Sequence, residues 1–97
     1  MRISAEDVNR RFGAYLLRGR ERAGLTQLEL ARRAGIGRTT VANMELGAQA
    51  ATIYQLIALA SALGVDPGSL LPDRPATTQN DALVDRHVRL RRSLLGR

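Results

Sequence analysis

Three residues, Gly35-Ile36-Gly37, separate two short runs that each read as an amphipathic helix, and this spacing constrains the chain more than any other feature. In the first run Thr26 and Glu29 match a capping box, in which each side chain bonds the other residue's backbone N–H. Leu28, Leu30, Ala31 and Ala34 then supply the side to be buried. The second run, residues 38–46, buries Val41 and Met44, turns Arg38, Thr39, Ala42 and Asn43 elsewhere, and closes at Gly47. So short a link with glycine in it sets two helices at a steep angle and lets the first brace the second.

The same punctuation organises the rest of the chain. Ser4 and Asp7 mark the start of a helix over residues 5–23, with Val8, Phe12, Tyr15 and Leu16 on one face and Gly24 as a left-handed stop. Thr52 and Gln55 open a helix whose Ile53, Leu56, Ile57, Leu59, Ala60 and Leu63 make it the most apolar segment in the chain, and it ends at Gly64. Asp66 as cap and Pro67 in first helical position predict a fifth short helix through Ser69, Leu70 and Leu71, stopped by Pro72.

The fold class is therefore all-α, a five-helix helix-turn-helix domain over residues 1–72. Residues 73–81, rich in Pro, Thr, Asn, Gln and Asp, read as a linker. Residues 82–97 form an Arg-rich segment in which Leu83, His87, Leu90 and Leu94 share a helical stripe, although Val88 and Leu90 also alternate with Arg89 and Arg91 as a strand would. Helix is the preferred reading, given the few strong β formers.

A chain of 97 residues with 44% hydrophobic content supports one core and not two. Its net charge is +6, and all fifteen basic residues are Arg, whose planar donors suit phosphate and guanine edges. No Cys is present, His87 is the single histidine, and no Gly-rich phosphate loop or acidic cluster has metal-ligand spacing. An enzyme is accordingly the least favoured class, with no catalytic residue, metal or cofactor expected. Neither a bilayer-spanning apolar run nor a signal-peptide core is seen, so a cytoplasmic location and no membrane partner are expected.

The segment from Arg20 to Gly47 carries Gly-Leu-Thr-Gln, Leu-Ala-x-x-Ala-Gly and Glu-x-Gly, and Ala60 begins Ala-x-Ala-Leu-Gly-Val. Together these resemble the Cro/phage-repressor (XRE) family of lambda-repressor-like helix-turn-helix proteins over residues 12–71. The resemblance implies double-stranded DNA as partner, with the helix from Arg38 in the major groove, which at about 12 Å wide admits one helix. It implies base contacts from Arg38, Thr39 and Asn43, and backbone contacts from Thr26, Gln27 and Thr40. Thr26 also reads as a plain cap. Arg20 and Glu45 match a family ion pair that locks the reading helix in place.

Three departures stand against this pattern. Residues 47–52 contain no cation where the family usually carries Lys or Arg; Gly19 replaces a large apolar residue of the first helix; and the tail beyond Pro72 has no counterpart. That tail holds six Arg and three Asp, enough for phosphate contacts or for a second subunit to engage. The implied function is a sequence-specific transcriptional regulator, a repressor or autoregulator reading a pseudo-palindrome as a homodimer, with Leu70, Leu71 and the tail as dimer candidates. The rival is an antitoxin or adaptor whose C-terminal segment binds a partner protein.

Overall fold

The computed structural model describes residues 3–72, so the expectations for the linker and the Arg-rich segment lie outside the described residues. Four α-helices follow in order: α1 (Ala5–Arg22), α2 (Gln27–Ala34), α3 (Arg38–Glu45) and α4 (Ile53–Leu63). No strand occurs among the described residues.

Local chemistry sets each boundary. The Asp7 N–H donates to Ser4 Oγ at the start of α1, and full capping boxes join Thr26 to Glu29 and Thr52 to Gln55. Gly35 and Gly64 end α2 and α4 with φ of 72° and 70°, a left-handed geometry that glycine adopts without a Cβ penalty.

The expected fifth helix is instead a single 3-10 turn, Pro67–Leu70. Asp66 gives it no side-chain cap, and Ser69 bonds back to the Asp66 carbonyl through both N–H and Oγ. Four residues held between Pro67 and Pro72 are too few for an α-helix to recover its nucleation cost, and Leu71 is already extended.

One core unites the elements. Phe12 and Leu16 of α1, Leu30, Ala31 and Ala34 of α2, Val41 and Met44 of α3, and Leu59 and Ala60 of α4 are buried with Leu25 and Leu70. α1 packs on α3, while α2 lies against both α3 and α4. Burial of Leu70 at 2% exposure removes it from the candidate dimer surface; Leu71 remains exposed. Leu28, expected on the buried side of α2, faces outward, as do Ile53 and Ile57 of the apolar α4. Gln55 and Ser61 give α4 too little polar character for periodicity alone to select its buried face.

Gly19 sits where Leu63 and Leu70 close in. A Cβ there would lie 3.3 Å from Leu63 Cδ1 and 3.8 Å from Leu70 Cδ2, so these two leucines close over the space beside the glycine. Gly13 permits a tighter approach: a Cβ on it would collide with the Met44 carbonyl oxygen and lie 2.8 Å from that of Glu45. α1 thus touches the C-terminal end of α3 backbone to backbone.

Candidate nucleic-acid interface

α2 and α3 are joined by a turn that leaves little freedom. The Ile36 N–H donates to the Ala31 carbonyl at 3.0 Å, Gly35 turns left-handed, and half-buried Ile36 packs on the core. Gly37 then begins α3 with no side-chain cap.

The end of α3 is held by three hydrogen bonds to one carboxylate. Arg20 Nε donates to Glu45 Oε2 at 2.6 Å and Arg20 Nη2 to Oε1 at 3.1 Å, a bidentate pair with the side chains only 15% and 5% exposed. Gln27 Nε2 donates to the same Oε1 at 2.9 Å. The remaining Arg20 nitrogen, Nη1, donates to the Leu25 carbonyl at 2.9 Å, in the turn between α1 and α2. One carboxylate therefore ties α3 to the last turn of α1 and the first residue of α2. Its hydrogen bonds and charge raise the Arg20 pKa above its ordinary value, although burial opposes this, and the guanidinium stays charged.

With its core side and its end fixed, α3 offers the solvent a polar face. Arg38 and Thr39 are exposed, while Thr40 and Asn43 are half-buried. Among the described residues neither Arg38, Thr39 nor Asn43 makes a side-chain hydrogen bond within the chain. Thr26 lies exposed at the start of α2, its Oγ accepting from the Glu29 N–H at 3.0 Å. In return the Thr26 N–H donates to Glu29 Oε1 at 2.8 Å, which lowers the Glu29 pKa.

Gln27 departs from the simple expectation of a phosphate ligand because one of its amide hydrogens already serves Glu45. The amide carries a second N–H, so bonding to Glu45 orients the group without exhausting it. That bond is the feature sequence reading misses: it spans eighteen positions and has no local signature. Gly13 is missed as well, although glycine within a helix, where it is unfavourable by about 1 kcal/mol, is itself a sign of close approach.

A short helix braced by a second one, rigidly held and polar on its outer side, defines a helix-turn-helix domain. The chain belongs to the helix-turn-helix family HTH_3, which residues 16–70 match, and it is of the Cro/C1 (XRE) type.

Solved structures agree. The restriction-modification controller protein C.AhdI from Aeromonas hydrophila is 32% identical, with a TM-score of 0.64 over 65% of this chain and 96% of its own. The hypothetical transcription factor NHTF from Neisseria is 26% identical, with a TM-score of 0.64 over 84% of this chain and 90% of its own. An HTH_3 family transcriptional regulator from Vibrio cholerae, 21% identical with a TM-score of 0.66 over 69% of this chain and 38% of its own, shares the fold. No curated protein sequence matches the chain. The family and these neighbours make it a DNA-binding regulator. No described helix is long and apolar enough to cross a membrane.

Proposed function

We propose that the protein is a sequence-specific regulator of transcription that binds a pseudo-palindromic operator as a homodimer. The supporting observation is the outward polar face of α3, held by the carboxylate of Glu45. Arg38 has the donors to bind guanine, Asn43 suits adenine, and the Thr39 methyl suits thymine, each good pair contributing roughly 1–3 kcal/mol of discrimination. Thr26, Gln27 and Thr40 serve the backbone. The name of C.AhdI as a controller protein supports a regulatory role. Neither catalysis nor a cofactor is part of this reading.

α4 supplies the dimer surface. Ile53, Tyr54 and Ile57 are 77%, 74% and 52% exposed, and residues 46–65 carry no charged side chain in a protein of net charge +6. Two identical cationic chains repel wherever like charges meet, so an uncharged apolar face is where a second copy fits.

Selection of bound duplexes from a random pool tests the reading. Inverted repeats with half-sites about one helical turn apart, near 34 Å, are expected. Equal binding of selected and random duplexes at physiological salt would overturn it.

A further inference from the structure

Residues 46–52, which leave the C-terminal end of α3, have no charge with which to grip a phosphate. A helix of eight residues is about 12 Å long, so one lying in the major groove brings its end close to a phosphate rail. A cation at that position would have to come from another element.

The structure places Arg10 against this turn. A Cβ at Gly47, whose φ is +78°, would lie 2.9 Å from Arg10 Cα and 3.4 Å from its Cβ, so the two backbones touch. The Gly13 contact with Met44 and Glu45 holds the same stretch of α1 against the end of α3. Arg10's side chain is 70% exposed, and its Nη2 donates to Asp7 Oδ1 at 2.5 Å. Arg11 also reaches Asp7, Nη1 to Oδ2 at 3.4 Å, from a side chain 33% exposed. Two guanidiniums thus share one carboxylate.

We propose that Arg10, carried on α1 and set beside Gly47, supplies the cationic phosphate contact that the charge-free turn after α3 lacks. On DNA, Arg10 exchanges Asp7 for a phosphate oxygen, and Arg11 keeps the carboxylate compensated. Because the pair with Asp7 is exposed, the exchange meets little resistance. This rests on the DNA-binding reading above.

The test measures affinity for a selected and a random duplex across a salt series, with wild type, Arg10→Gln, Arg10→Lys and Arg11→Gln. Arg10→Gln is expected to weaken binding to both duplexes by the same factor, roughly tenfold, and to lower the slope of log K against log salt by about one per protomer. Arg10→Lys retains the slope, because the charge remains, and Arg11→Gln changes it less than Arg10→Gln does. If wild type binds the selected duplex and Arg10→Gln matches it in affinity and slope, this inference alone fails. If wild type binds neither duplex, the DNA-binding reading fails with it.

Discussion

Glu45 Oε2 accepts from Arg20 Nε at 2.6 Å across twenty-five positions of sequence, and the same carboxylate receives Gln27. The consequence is mechanical. Helix packing fixes the buried side of α3, Gly13 holds its end against α1, and this carboxylate ties that end to both α1 and α2. On the proposed reading, an α3 that rocks by a fraction of a turn would move its side chains off the base edges assigned to them.

Removal of either partner should therefore destabilise the fold. Glu45→Gln or Arg20→Ala is expected to cost about 2–4 kcal/mol in urea unfolding, because the partner left behind is largely buried. A double-mutant cycle should give a coupling above about 1 kcal/mol. Coupling near zero would show that the two charges act independently.

Two glycines of α1 should respond in opposite ways. Gly13→Ala forces the added methyl into the Met44 carbonyl and is expected to lower stability by about 2 kcal/mol or more, outweighing its gain in helix propensity. Gly19→Ala presses only on the end of Leu63, which can shift, and is in ordinary contact with Leu70, so the propensity gain of up to about 1 kcal/mol leaves it neutral or stabilising. Melting temperatures of the two variants decide this; equal shifts would contradict the contact at Gly13.

The capping box of α2 predicts a small acid sensitivity. Glu29 has its pKa lowered in the folded chain, first by the Thr26 backbone N–H and then by the Thr26 hydroxyl. Its contribution is present above the unfolded glutamate pKa, about 4.3, and is lost as pH falls through the lower folded value. In a comparison of wild type with Glu29→Gln, the stability difference should shrink as pH falls through this range. A constant difference would mean that charge plays no part in the cap.

Self-association should be removable without unfolding. Ile57→Asp places a charge on the exposed face of α4 and is expected to shift sedimentation toward monomer at micromolar concentration, with circular dichroism unchanged. A dimer of wild-type strength would move the interface elsewhere.

The helices were legible in the sequence because their ends are local chemistry. Thr26 with Glu29, Thr52 with Gln55, and Gly35, Gly47 and Gly64 each act within a few residues, as does the short turn before α3. What was not legible is tertiary. Nothing near Gln27 announces Glu45, nothing near Gly13 announces Met44, and the outward placement of Ile53 and Ile57 depends on which side of a mostly apolar helix meets α2. The 3-10 turn at Pro67 marks the limit of cap signals, since a good helix start does not ensure a second turn. The residues proposed for recognition stand out through family resemblance and the polar side of one short helix.

The most direct test of the central claim is the base preference of Arg38→Ala and Asn43→Ala, measured by selection from the same random duplex pool as wild type. The account predicts that each variant keeps its fold and loses preference at particular base positions, with about 1–3 kcal/mol less discrimination there. Site preferences identical to wild type in both variants would show that α3 does not read the sequence.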